Sequence, residues 1–229
     1  ANQLSTPSAI YIDASGNMYI ADKSNSRIQK WTPGASEGTT VAGGNGVGSE
    51  PRYASYPEGI TLDVSGNIYI ADFYYHRILK WKPGESAGVV IAGGNGKGDN
   101  LNQLDGPYDV TIDTLGNLYI ADFGNDRIMK WVPGEKYGAE IATYPDLSTP
   151  SSIDIDNVGN LYVNSGSNSI KKYFPGAAGS ILVAGGNGNG SESNQLYYPS
   201  DITLDASGNL YISDSYNHRI QKWTLGQLD

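Results

Sequence analysis

The chain has 229 residues, no cysteine and a formal net charge of −9, with a pI of about 4.6. These exclude disulfides, thiolate chemistry and Cys-based metal sites. They also speak against nucleic acid and anionic membranes as partners, because phosphate surfaces need clustered Lys and Arg. Apolar content is 38%, which the 30 glycines bring back to the globular range, and no run of about 18 apolar residues offers a membrane span.

In chain order, Pro7, Pro57, Pro107, Pro150 and Pro199 each open a block of about 50 residues. The centre of the block reads GNMYIADKSNSRIQKW at 16–31, GNIYIADFYYHRILKW at 66–81, GNLYIADFGNDRIMKW at 116–131 and GNLYISDSYNHRIQKW at 208–223, with a degraded GNLYVNSGSNSIKKY at 159–173. In the second copy, 58–63 alternates as a short strand and Val64-Ser65-Gly66-Asn67 is turn chemistry. Residues 68–71 form a second strand rich in β-formers, 72–76 a loop, 77–81 a third strand, and 88–92 a fourth after the Pro83-Gly84 break. Four short strands without a helical period predict an antiparallel meander, and meanders repeated radially predict a β-propeller. The expected fold is all-β: one domain over 1–229 with five four-stranded blades, at approximately 1–49, 50–99, 100–143, 144–191 and 192–229.

Third strands close on Trp31, Trp81, Trp131, Tyr173 and Trp223, read as packing between blades. Fourth strands end at Ala42, Ala92, Ala142 and Ala184, and the fifth copy has no equivalent. After Trp223 the sequence runs TLGQLD, whereas Ala1-Asn2-Gln3-Leu4 matches the connection Asn194-Gln195-Leu196. The last blade is therefore expected to lack its outer strand, leaving an edge that another chain can extend. No charged n-region and apolar h-region open the chain, which begins in mid-repeat; a removed leader or a longer parent protein is the expectation.

The pattern P-x-G-I-x-L-D-x-x-G-N-x-Y-I-A-D-x-x-x-x-R-I-x-K-W resembles the NHL repeat, and the five copies carry it along nearly the whole chain. The resemblance implies a propeller, often of six blades, against five copies here. An NHL-type amidating lyase holds zinc with histidines, but His76 and His218 share one repeat position several blades apart and read as loop consensus. RNA-binding NHL domains use a basic face, which this acidic chain does not supply.

Asp22/Arg27, Asp72/Arg77, Asp122/Arg127 and Asp214/Arg219 share a spacing of five, and in the fourth copy both charges vanish together, with Ser165 in the Asp position. They read as bidentate structural salt bridges rather than as four catalytic acids. The GGNGxG segments lack the Lys and helix of a phosphate loop, and Asp99 alone is too little for Ca²⁺. No cofactor or metal is expected. Asn189-Gly190-Ser191 is the one glycosylation sequon.

The meander places the strand two–three loops and the blade connections at one end of the molecule. That end carries the variation and is the expected binding face, with Tyr74, Tyr75, His76, Phe123, Asn125, Tyr216 and Asn217 as candidates. The short connection 143–149 is expected to leave a notch beside blade 4. The expected function is a non-catalytic scaffold, extracellular or at the cell surface, that binds protein or glycan partners and self-associates through its open edge. Tyr74, Tyr75 and Tyr216 are the candidate sugar-stacking residues. The alternative is a metal-dependent propeller hydrolase or lyase, whose ligands must converge on the axis.

Overall fold

The computed structural model describes residues 3–177 and 179–224 and consists of five antiparallel sheets set around a common axis. Blade 1 is β1 (Pro7–Ile12), β2 (Met18–Asp22), β3 (Arg27–Trp31) and β4 (Thr39–Gly43). Blade 2 is β5 (Pro57–Leu62), β6 (Ile68–Asp72), β7 (Arg77–Trp81) and β8 (Val89–Gly93). Blade 3 is β9 (Pro107–Ile112), β10 (Leu118–Asp122), β11 (Arg127–Trp131) and β12 (Ala139–Thr143), and blade 4 is β13 (Ser152–Ile155), β14 (Leu161–Ser165), β15 (Ser169–Tyr173) and β16 (Ser180–Gly185). Blade 5 has three strands among the described residues, β17 (Pro199–Leu204), β18 (Asn209–Asp214) and β19 (Arg219–Thr224). Residues 1–2 and 225–229, which the sequence assigned to a connection and to the tail, lie outside the described residues.

The turn after each first strand is built by one aspartate. Asp113 accepts from the backbone N–H of Leu115 (2.9 Å) and Asn117 (2.8 Å), from Asn117 Nδ2 (2.7 Å) and from the Tyr119 hydroxyl (3.2 Å). Asp13, Asp63, Asp156 and Asp205 repeat this set. Gly116, at φ 85, takes the left-handed position such a turn requires.

The second connection departs from the expected plain loop. In blades 1, 2, 3 and 5 it is a 3-10 turn, at Lys23–Asn25, Phe73–Tyr75, Phe123–Asn125 and Ser215–Asn217. The flanking Asp and Arg pair directly across the strands, so four residues must close the reversal, and one helical turn does so. Three residues are too few to show a helical period in sequence. The closing residue is left-handed: Ser26, His76, Asp126 and His218 have φ of 52°, 51°, 52° and 53°. Asn168 plays this part in blade 4, at φ 55°.

That residue also ties blade to blade. His76 Nδ1 accepts from Gly106 N (2.9 Å), Asp126 Oδ1 from Thr149 N (2.6 Å) and Asn168 Oδ1 from Tyr198 N (2.6 Å). Each donor immediately precedes the opening Pro of the next blade.

Four apolar cores lie between consecutive blades. Tyr19, Ala21 and Ile28 of blade 1 meet Ile60, Leu62 and Ile68 of blade 2, and the pattern recurs between blades 2 and 3, 3 and 4, and 4 and 5. Each connection adds one fully buried apolar residue: Ala54, Leu104, Leu147 and Leu196. The inner strands β1, β5, β9, β13 and β17 lie side by side in that order. Among the described residues no core joins blade 5 to blade 1, and β17 does not pack on β1 as the other consecutive inner strands pack.

Candidate binding face and axial channel

The Asp–Arg pairs stand at the loop end, with Nε to Oδ2 distances of 2.6, 2.7, 2.7 and 2.8 Å in blades 1, 2, 3 and 5. The contact is single rather than bidentate, because the other guanidinium nitrogens are spent on the connection entering the blade. Arg127 donates to the carbonyls of Asp99 (2.7 Å) and Gln103 (3.0 Å), and Arg219 to that of Gln195 (3.0 Å). The second carboxylate oxygen accepts from the same connection: Ser5 N, Asp105 N and Tyr197 N, each at 2.7 Å. The pair therefore fastens the preceding connection to its blade. In blade 4 the Ser165, Ser167 and Ser169 hydroxyls replace it. The expected notch there holds the shortened connection, which is pinned by Asp146 to Lys171 (2.8 Å) and by buried Leu147.

The candidate residues divide into fastened and free. Asn125 donates to Gly98 O (2.9 Å) and Asp122 (2.8 Å), and Asn217 to Gly190 O (2.7 Å) and Asp214 (2.8 Å), so both serve the scaffold. His76 is bound through Gly106, and burial holds its imidazole below the usual range. His218 is exposed. The Tyr75 ring lies 5.2 Å from the Arg77 guanidinium, and Phe123 packs on Tyr108 at 4.5 Å. Tyr74 and Tyr216 remain free, 60% and 62% exposed.

Tyr74 and Tyr216 belong to separate aromatic groups. Tyr74 neighbours Tyr56 (6.3 Å) and Tyr75 (5.8 Å) in blade 2, and Tyr216 neighbours Tyr197 (5.2 Å) and Tyr198 (4.8 Å) in blade 5. Sequence reasoning passed over Tyr56 and Tyr198. Both precede the opening Pro, where the other copies carry Thr6, Gly106 and Thr149; comparison at that position would have found them. Asn189 is exposed, and its Oδ1 accepts from Asn168 Nδ2 (2.6 Å).

The five first strands open onto an axial cavity of about 300 Å³, lined by Ser8, Glu58, Tyr108, Asp109, Ser151 and Asp201 among others. Glu58 pairs with Lys23 of the neighbouring blade, and burial nonetheless pushes its carboxyl up. Ser152 Oγ lies 3.1 Å from Asp109 Oδ2 and 2.7 Å from Asp201 Oδ1, and accepts from Ile202 N at 3.2 Å. One hydroxyl carries one proton, so the two carboxylates cannot both accept from it. Burial, with the Asp201 charge beside it, pushes Asp109 up to about 8. Burial raises the Asp201 carboxyl as well, so the two carboxyls hold a proton between them at neutral pH, relayed through the Ser152 hydroxyl.

The sequence reading found no such carboxyl pair. The residues at this position are Ala9, Gly59, Asp109, Ser152 and Asp201, and their departure from one another is the signal it did not use. Gly59 is required there, because a Cβ would stand 2.7 Å from Asp109 Cα. Among the described residues no three His, Cys, Asp or Glu side chains gather as a metal site.

The family model for the NHL repeat matches residues 55–81 and 196–223. No curated protein matches the chain. Among solved structures, the Nidogen/Laminin complex superposes with a TM-score of 0.75 at 21% identity, covering 96% of this chain and 76% of that one. A gluconolactonase from Xanthomonas campestris gives 0.70 at 13%, covering 99% and 78%. A streptogramin B lyase gives 0.62 at 17%, covering 96% and 69%. At these identities the likeness is one of fold.

Proposed function

Because this chain belongs to the NHL-repeat β-propellers, we propose that it is a non-catalytic interaction module, extracellular or at the cell surface, that binds a protein or glycan partner at its loop end. The observation that carries this is the pair of exposed tyrosine groups, Tyr56 with Tyr74 and Tyr198 with Tyr216, beside loop residues His76, Asn125 and Asn217 that are tied to the scaffold. Tyrosine gives large amphipathic contact area at low entropic cost. A propeller of this shape occurs in a nidogen–laminin complex, which supports the protein-binding reading. The test is affinity electrophoresis through neutral polysaccharides, alongside biosensor binding to laminin-type matrix proteins, at high salt. Binding that drops at least tenfold in Tyr74→Ala or Tyr216→Ala supports the proposal; binding unchanged in both variants overturns it.

A second reading, acid–base catalysis at the axis, draws on the Asp109–Ser152–Asp201 group and on neighbours described as a gluconolactonase and a lyase. It predicts turnover of lactones or cyclic esters that Asp109→Asn abolishes. An absence of turnover with and without added divalent metal, from protein that melts cooperatively, removes it.

A further inference from the structure

The seam between blades 5 and 1 presents two halves of an interface that the molecule already builds four times. In each internal interface the rear face of one blade carries a Tyr and an Ile on its second and third strands, and the front face of the next carries aliphatic residues on its first and second strands. Ile28, Ile78, Ile128 and Ile170 fill the rear position and are each 0% exposed; Ile220 holds it in blade 5 and is 65% exposed. On the front face, Ile60 and Leu62 of blade 2 are each 6% exposed, whereas Ile10 and Ile12 of blade 1 are each 60% exposed. Leu4, which matches buried Leu196, is exposed as well. Solvent therefore meets apolar side chains that every other blade covers, which marks an interaction surface.

The polar part of the template is complementary too. Asp109 Oδ2 accepts from Ile153 N of the next blade (3.0 Å), and Ser152 Oγ accepts from Ile202 N of the next (3.2 Å). Asp201 holds the acceptor position in blade 5, and Ile10 holds the donor position in blade 1. A rear face and a matching front face are thus both present on every copy.

We infer that the seam is an interface between copies of this chain: blade 5 of one copy packs its rear face on the front face of blade 1 of the next, continuing the blade-to-blade contact across molecules. The two faces differ, so the contact is heterologous and each addition leaves one rear and one front face open. The second copy continues the turn about the axis and must rise along it to clear the first, so the product is an open helical run rather than a closed pair. Blade 5 ends at β19 among the described residues, so the contact uses the three inner strands. This differs from strand addition at the β19 edge, which uses backbone groups and not Ile220.

The test is light scattering and sedimentation over a concentration series with the wild-type chain, Ile220→Asp, Ile12→Asp and an equimolar mixture of the two variants. Both positions are exposed, so both variants are expected to fold, and circular dichroism and melting check that they do. The expected result is a wild-type mass that climbs with concentration, and single variants that hold at the chain mass of 24.4 kDa. The mixture, which keeps one intact rear face and one intact front face, stops at twice that mass. A wild-type mass constant at every concentration overturns the inference. So does association that survives in either variant alone, which would point to the β19 edge or the loops, and so does a mixture that fails to form the heterodimer.

Discussion

One ion pair, written four times, titrates differently according to where it stands. Burial pushes Asp72 up to about 6 and raises Asp122, and in both it outweighs the arginine alongside. Asp22 and Asp214, in the end blades, are held below the usual carboxylate range: burial still opposes this, but their hydrogen bonds prevail. The arginines follow the same division, with Arg77 and Arg127 nearly sealed and Arg27 and Arg219 in partial contact with water. Removing one partner of a buried pair leaves an uncompensated charge, a loss of about 3–5 kcal/mol. Arg127→Ala is therefore expected to cost that much in urea unfolding and Arg219→Ala about 1 kcal/mol, nearer an exposed pair. Equal losses would contradict the account.

The axial carboxyls add a pH dependence of definite sign. Asp109 binds its proton up to about 8 in the folded chain, whereas an unfolded aspartate releases it near 4, at about 3.9. Stability from this group is thus fully present at low pH and declines as pH rises from about 4 to about 8. Asp13 and Asp205, lowered chiefly by the amides of Asn17 and Asn209, act in the opposite sense and lose their contribution as the medium turns acid. The melting temperature is expected to peak at mildly acidic pH and to fall toward pH 8. Asp201→Asn keeps an oxygen for Ser152 and Ile202 while removing the charge facing Asp109. It should raise stability at pH 8 by about 1 kcal/mol, one pKa unit of relief, and flatten the slope; a steeper slope would refute the shared-proton arrangement.

At the scale of the element, the turn aspartates offer the cleanest check. Asp113→Ala removes acceptors from two backbone N–H groups, an amide and a hydroxyl, and should cost about 1–2 kcal/mol. Accelerated amide exchange should be confined to the β9–β10 reversal, and faster exchange throughout blade 4 would mean the turn does more than close a hairpin. Such elements were legible because repetition writes them. Alternation gave the strands, Gly116-Asn117 the turn, and the spacing of five placed Asp122 opposite Arg127. Less legible was whatever depends on a partner distant in sequence. Nothing near Asp109 announces Ser152, and nothing near Arg127 says that its fork is spent on carbonyls of residues 99–103. The three-residue helical turns were hidden by brevity, and Tyr56 and Tyr198 by a position that varies from copy to copy.

For the whole molecule, the sequence counts blades but does not state the angle between them, which the packing of Tyr, Ala and Ile against the next blade decides. Among the described residues the outcome is a row of five units with four cores. Interior blades are covered on both faces and end blades on one. Hydrogen exchange should therefore rank β6, β7, β10 and β11 as most protected and β1 and β19 as least. Uniform protection in dilute solution would mean that the ends are joined to each other.

A row with no closing core among its described residues also has a mechanical character. Pulled from the outer ends of blades 1 and 5, a sealed ring would have to shear before any strand could leave, but here blade 1 can peel from blade 2 and blade 5 from blade 4. Extension should proceed as a staircase of releases, each lengthening the tether by roughly 170 Å for a block of about 50 residues. The end blades would give way at low force and the central ones later, making the chain a graded elastic element rather than a single rigid body.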